Sequence, residues 1–190
     1  MDVIIGVSGK AQAGKDTIAN YLVKNYGFTR IALADSLKDA IQDIFDLSHE
    51  QLYDSELKEK ELDFFPGWSP RKLLQYIGTD LLRKQLHEDI WIMSLAQKIK
   101  ERHLSRVVIP DIRFPNERNN LEKYIHKPCY FIKVKRPGYD GNVGIKNHDT
   151  EKFDIHCNFI IDNNSTFESL HLSINAIMNT IQFELTGDKS

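Results

Sequence analysis

The chain has 190 residues, 41% hydrophobic and 27% charged, with a formal net charge of -2. That length suits one α/β domain and is short for two. The near-balanced charge argues against a general nucleic-acid binder, which carries a clear basic excess. No apolar run approaches the roughly 20 residues that span a bilayer, so neither nucleic acid nor membrane is an expected partner.

Met1-Asp2 leads straight into a strand-like run, without a basic region or cleavage site, so a cytoplasmic location is expected. Val3-Ile4-Ile5-Gly6-Val7 reads as a parallel strand buried on both faces. After a glycine-bearing turn, Ile18, Ala19, Leu22 and Val23 recur at helical spacing from Thr17 to Tyr26, and Gly27 closes that helix. Ile31-Ala32-Leu33-Ala34 is a predicted second strand. Asp35 or Ser36 then caps a helix with Leu37, Ala40, Ile41, Ile44 and Phe45 on one face. The stretch from Ser48 to Asp63 is charged, mixed in sign and read as helical or mobile, and Phe64-Phe65-Pro66-Gly67-Trp68 breaks it.

Ser69-Pro70 signals a helix start, with Leu73, Leu74, Ile77, Leu81 and Leu82 following, and a further helix is expected over about Ile90 to His103. Arg106 to Asp111, Cys129 to Val134 and Asn158 to Ile161 complete the predicted strands, and Phe167 to about Leu185 has helical periodicity. Strands alternating with helices imply a parallel sheet covered on both faces. A single domain over residues 1–190 is expected, with a helical insertion at about 48–104. Cys129 and Cys157 have no metal-ligand spacing and read as two thiols of a reducing compartment.

Gly9-Lys10-Ala11-Gln12-Ala13-Gly14-Lys15 fits G-x-x-x-x-G-K between a buried strand and a helix, the context in which that pattern wraps phosphate. The glycines let successive backbone N–H groups point inward, and the helix N-terminus adds donors and partial positive charge. Lys15 then reaches the β- and γ-phosphates as a point charge. A glycine turn without ligand is the competing reading, and the lysine and flanking elements weigh against it. Asp16 stands where the generic motif has a hydroxyl, and Thr17 follows one place later. Two readings of Asp16 stay open: an acid favoured in the first helical turn, or an organiser of magnesium-bound water. Thr17 is the expected hydroxyl near metal and phosphates.

A small-molecule kinase needs a second anion site facing the first, with cations on the phosphoryl group in flight. Lys38 lies early in the helix after the second strand, Arg71 and Lys72 open the Ser69 helix, and Arg83 lies three turns on. Asp111 and Arg113 follow the Val107-Val108-Ile109 strand at its carboxyl end, where open α/β sheets bind ligands. Arg113 suits bidentate phosphate binding, and Asp111 suits magnesium water or the orientation of a basic group. Arg136 starts an Arg-Pro-Gly loop suited to closing over ATP. Each of these charges also has a bland reading, a surface group or local ion pair. Lys15, Asp111, Arg113 and Arg136 are the catalytic candidates.

Trp91 and Tyr76 suit either base stacking or core packing. Gly78 interrupts a helical pattern at a cost of about 1 kcal/mol relative to alanine, which suggests a close approach by ligand or helix. His148-Asp149 and Glu151 have no Ser or Cys partner, so no hydrolase triad is assigned.

The Gly9 to Thr17 loop, Leu37-Lys38-Asp39-Ala40, Arg71 with Gly78-Thr79-Asp80 and Trp91, Pro110-Asp111-Ile112-Arg113 with Glu117, and Arg136-Pro137-Gly138 occur in one order. Together they resemble the phage-type deoxynucleoside monophosphate kinases of the P-loop nucleoside monophosphate kinase superfamily. The likeness runs from about Val3 to Leu170 and is patchy between Asp46 and Trp68, where larger members carry a long acceptor-side insertion. It implies a three-layer P-loop fold with a five-stranded parallel sheet, a helical acceptor-side insertion and a lid. It also implies ATP with Mg2+, small-molecule partners only, a possible homodimer, and a host cytoplasm if the source is viral.

Carried over by position, Ala13, Gly14, Lys15, Asp16, Thr17 and Arg136 would hold ATP. Lys10, Leu37, Lys38, Arg71, Gln75, Gly78, Thr79, Trp91, Asp111, Arg113 and Glu117 would surround a deoxynucleoside monophosphate. The metal would meet Thr17 and, through water, Asp16. A phosphomevalonate kinase, which shares the Asp16-Thr17 loop, and a nucleotide-dependent switch module are the alternatives.

Overall fold

Strand alternation sorts the core into two faces. Ile5, Val7, Val108, Ile132 and Val134 point to one side of the sheet, and Ile4, Val107, Ile109 and Phe131 to the other. The computed structural model describes residues 2–138 and 155–187, in which β1 (Val3–Ser8), β2 (Thr29–Arg30), β3 (Arg106–Ile112), β4 (Cys129–Lys135) and β5 (Phe159–Asp162) form one five-stranded sheet. The strand order is β2-β3-β1-β4-β5 and every pairing is parallel. Helices α1 (Lys15–Tyr26) and α7 (Phe167–Thr186) cover the first face through Ile18, Leu22, Ile174 and Ile181, all wholly buried. The second face is covered by α5 (Ile90–Glu101) and α6 (Pro115–Ile125), through Ile92, Leu95 and Leu121. Helix, sheet, helix is the expected three-layer architecture.

A third cluster belongs to the acceptor-side helices. Leu37 and Ile41 of α2 (Asp35–Phe45), Leu52 of α3 (His49–Tyr53) and Leu73 of α4 (Pro70–Gln75) pack with Leu47 and Leu62. Phe45, Phe65, Trp68 and Tyr76 form a ring chain over it, with centroids 6.3, 5.4 and 5.5 Å apart in succession. Ser48 and Gln51 close a reciprocal capping box on α3, and Ser69 caps α4 with Pro70 in its first turn, as the sequence predicts.

Several expectations shift. The second strand is Thr29–Arg30 and not Ile31 to Ala34, because β3 pairs with Thr29 and Arg30 through Val107 and Val108. Beyond it the backbone turns toward α2, and Asp35 Oδ2 accepts from Ala32 N at 2.8 Å. Asp35 thus stands inside the helix, and Ala34 is the flanking residue. The helix expected from Ser69 through Leu82 is α4 only to Gln75. It widens into a π-helical segment over Tyr76–Leu86, of the kind that accompanies functional sites. Helix α6 has no counterpart among the predicted elements. The Arg136 loop is described only as far as Gly138, so the expected lid, with His148, Asp149 and Glu151, lies outside the described residues.

Proline in a central strand needs an irregular register, and Pro110 has one. Gly6 pairs with Ile109, but Ser8 pairs with Ile112, so β3 carries an extra residue there. The bulge re-aims the following side chain, and that side chain is Asp111. Because α6 contributes Leu121 with no exposed surface, Leu121→Ala should lower unfolding stability by about 2–5 kcal/mol. A urea titration that leaves the midpoint in place would show that α6 is not packed as described.

Candidate active site

The loop from Gly9 to Gly14 takes its shape from two close approaches. Gly9 has φ +148, and a Cβ there would lie 2.5 Å from the Val134 carbonyl oxygen. Gly14 has φ +108, and its Cβ would lie 2.4 Å from Asn163 Nδ2, which itself donates to Ala13 O at 2.9 Å. Only glycine meets both demands. Lys15 Nζ donates to Gly9 O at 2.9 Å and Lys10 O at 2.7 Å, folding the ammonium over the loop it serves. Asn163, fixed by its own N–H to Lys135 O at 2.7 Å, carries no motif and was not singled out from the sequence.

This loop divides two hollows. On one side Gly9, Lys10 and Ala13 meet Lys133, Lys135, Arg136, Gly138 and Asp162 around about 450 Å3. Arg136 Nη1 donates to Gln12 O at 3.3 Å across that boundary. On the other side lies a cleft of about 760 Å3, walled by Gln12, Lys15 and Asp16 of the loop, by α2, α4 and the π-helical segment, and by the end of β3. Of the acceptor candidates, Leu37, Lys38, Arg71, Gln75, Gly78, Thr79, Trp91, Asp111, Arg113 and Glu117 all line it. Lys10 lines the smaller hollow instead, and Thr17, half-buried in the first turn of α1, lines neither.

Asp111 shows what the β3 bulge achieves. Its Oδ1 accepts from Leu33 N at 2.8 Å and its Oδ2 from Ala34 N at 3.0 Å, so one carboxylate fixes the approach to α2. Burial pushes this carboxyl above its ordinary range, opposed by those two amides and by Arg113. Glu117 performs a similar service one turn on. Its Oε2 accepts from Arg113 N at 2.7 Å and Phe114 N at 3.0 Å, while Oε1 meets Arg83 Nη2. Both partners of that ion pair are buried, and burial raises Glu117 above its usual value. Arg83 also donates to Glu88 O at 2.9 Å and lies 4.0 Å over the Phe114 ring. Arg83 and Glu117 hold the frame behind Arg113.

Asp16 faces the cleft and pairs with Arg30 at 2.9 Å. That basic group, not singled out from the sequence, offsets the carboxylate beside the phosphate loop. Lys38 lies 3.7 Å over the Tyr53 ring, and burial lowers its pKa against the pull of Asp35 and Asp111. Gly78 is explained by a helix approach: a Cβ would meet Leu37 Cδ2 at 2.6 Å. Its carbonyl accepts from Trp91 Nε1 at 3.0 Å. Tyr76 stands edge-on to Trp68 and outside the cleft. Gln75 is buried in the cleft wall, and its Oε1 has no hydrogen-bond partner among the described residues. Both cysteines are free thiols whose pKa is raised by burial, Cys129 to about 12.

The sequence profile of a family described as deoxynucleotide monophosphate kinase matches residues 3–64 and 63–174. The chain belongs to that family. It is 35% identical, over 90% of its length and 94% of the relative's, to an Acanthamoeba polyphaga mimivirus protein provisionally named deoxynucleotide monophosphate kinase. It is also similar to the deoxynucleoside-5'-monophosphate kinase of Escherichia phage T5, 47% identical over 58 residues that make up 30% of this chain and 23% of that one. Among solved structures, a Chloroflexus aurantiacus protein provisionally described as a kinase superposes with a TM-score of 0.54 at 15% identity, covering 99% of this chain and 98% of that one. The chain is therefore a kinase of P-loop fold, and no finding favours the phosphomevalonate kinase or switch alternatives. Among the described residues, no helix is long and apolar enough to cross a membrane.

Because Glu117 joins a buried cation to two backbone amides, Glu117→Ala should cost about 3–5 kcal/mol of stability. Equilibrium unfolding with no loss of that order would show that Arg83 finds another partner.

Proposed function

We propose that this kinase transfers the γ-phosphoryl group of ATP to the 5'-phosphate of a deoxynucleoside monophosphate, giving ADP and the diphosphate, with deoxy acceptors preferred over ribo ones. The observation that carries the reading is the cleft itself. Beyond Lys15, cations from three separate elements, Lys38, Arg71 and Arg113, face one space large enough for a nucleotide. Opposed anion sites of this kind hold two phosphates in line, and positioning supplies much of the barrier reduction.

The loop amides and Lys15 hold the polyphosphate of ATP, with its base end in the hollow beside Arg136. An acceptor phosphate oxygen attacks the γ-phosphorus. A new P–O bond forms as the bond to the bridging β-γ oxygen breaks, and the electron pair leaves on ADP. No side chain has to act as a strong base, since the acceptor oxygen is already nucleophilic. Arg113 and Lys15 meet the charge spread over the transferring group. Arg136 covers the same phosphates from the ATP side. Asp111 sets the backbone before α2 and so aims Lys38. Gln75, Gly78, Thr79 and Trp91 line the part of the cleft that takes the nucleoside, where a base N–H would satisfy the buried Gln75 Oε1.

The donors near the loop fit magnesium. They are hard oxygens, the Thr17 hydroxyl and the Asp16 carboxylate, and no group of three or more His, Cys, Asp or Glu among the described residues would form an all-protein cage. Bound with ATP, the ion would neutralise phosphate charge, with Thr17 near it and Asp16 reaching it through water.

Purified protein should form ADP in a coupled assay with one or more of dGMP, dTMP, and ordinary or hydroxymethylated dCMP. Turnover with none of them ends the proposal. Lys15→Ala should slow transfer by about two to three orders of magnitude; an unchanged rate would remove the loop from catalysis. Arg113→Ala should raise the acceptor KM or lower kcat and leave the KM for ATP in place. A loss confined to ATP would move Arg113 to the donor side.

A further inference from the structure

The stretch between α3 and α4, where the family likeness is patchy, contributes a cation to the cleft. Asp54 Oδ1 accepts from Glu56 N and Leu57 N, both at 2.9 Å, and Lys58 N donates to Asp54 O at 3.2 Å. Lys58 O in turn accepts from Arg71 N at 3.0 Å, docking this turn on the start of α4. Lys58 is half-buried and lines the same cleft as Lys38, Arg71 and Arg113. The nearby Glu59 carboxylate pairs with Arg71. No described anion forms a hydrogen bond or ion pair with the Lys58 ammonium.

We propose that Lys58 is a further acceptor-binding residue, a titratable contact for the phosphomonoester dianion. A lysine whose stem merely covers surface keeps its head in water, away from like charge. Lys58 instead sits among cations from α2, α4 and the segment after β3. Its charged form is disfavoured first by burial, then by Lys38, Arg71 and Arg113, with Glu59 opposing and Asp54 also in range. Its pKa falls to about 8. A dianion placed among these four cations reverses the balance, restores the charge on Lys58 and draws a proton from solution when the medium is near that pKa.

The sign follows directly. The protonated amine binds the dianion, so acceptor binding is strong below the pKa of the free enzyme and weakens as pH rises through it. This rests on the reading of the cleft as an acceptor-phosphate site, and the experiment separates the two. Acceptor and ATP KM values would be measured with an active deoxynucleoside monophosphate from about pH 6.5 to 9.5, for the wild type, Lys58→Met and Lys58→Arg. The wild-type acceptor KM should stay flat below about pH 8 and rise about tenfold above it, the size expected for one charged hydrogen bond. Lys58→Arg, charged throughout, should keep a low value across the range. Lys58→Met should show the high value at every pH, with the ATP KM unchanged, which also demonstrates that the variant is folded. A Lys58→Met enzyme that keeps the wild-type acceptor KM and pH profile overturns the proposal.

If the wild type phosphorylates no deoxynucleoside monophosphate, the functional reading falls, and calorimetry with inorganic phosphate still decides the role of Lys58. Titrations near pH 8 in buffers of different ionisation enthalpy should show more proton uptake in the wild type than in Lys58→Met; equal uptake overturns it.

Discussion

The active site depends on one close packing of the phosphate loop against the chain at the ends of β4 and β5. Gly9 lies against the Val134 carbonyl and Gly14 against the Asn163 amide, so neither position has room for a methyl group. The Asn163 side chain then ties Ala13 O to the end of β5. A loop held this way presents its N–H groups in one fixed direction before any phosphate arrives, so binding does not have to supply the entropy of ordering it. Of the loop's positive-φ positions, Gly9 and Gly14 carry no strain, and Gln12 at φ 56 is the non-glycine among them. The two hollows follow from that packing, because the loop is the wall between them.

Concentrating cations opposite this loop is unfavourable in the free protein, and the chain offsets it with anions paired to them along the same cleft. Glu59 meets Arg71, Asp16 meets Arg30, and Glu117 holds both Arg83 and the backbone of Arg113. These carboxylates fix geometry, and basic side chains still outnumber acidic ones along the cleft. Lys58 and Lys38 carry the residual repulsion and desolvation, expressed as lowered pKa values. A polyanion entering the cleft relieves that repulsion. On the proposed reading, part of the binding free energy is stored in the unliganded fold as disfavoured charge.

What could be read in advance depended on how local the signal was. The phosphate loop, the buried strands β1, β3 and β4, the Gly27 cap and the Ser69-Pro70 start all lie within a few consecutive residues, and each appears as read. Helix α6 escaped because Asn, Glu, Arg and Lys dominate Pro115–Ile125 and only Leu121 and Ile125 carry its apolar stripe. The second strand is predicted two residues late, since Ile31 and Leu33 are buried in the core that β3 shares with α5 and α6 and not by strand pairing. Asn163, Arg30 and Lys58 join the site through contacts with residues distant in the chain, and no spacing rule marks them. Asp111, Arg113 and Arg71 were legible as cleft residues, but the division of labour was not. That Asp111 works through the amides of Leu33 and Ala34 requires knowing that β2 ends beside β3.

The π-helical segment ties these observations together. Within Tyr76–Leu86 the Gly78 carbonyl accepts from Trp91 Nε1, which joins this segment to α5. The same segment brings Gly78 against Leu37, with a Cβ there 2.6 Å from Leu37 Cδ2, and so joins it to α2. Three walls of the cleft are held at a spacing set by one glycine. Glycine's low helix propensity, a defect by local rules, is the condition for a pocket whose sides come from helices far apart in the chain. Functional sites are where local propensity and global architecture are expected to disagree. Here the disagreement falls on the residue where Leu37 of α2 and Trp91 of α5 both meet the cleft wall.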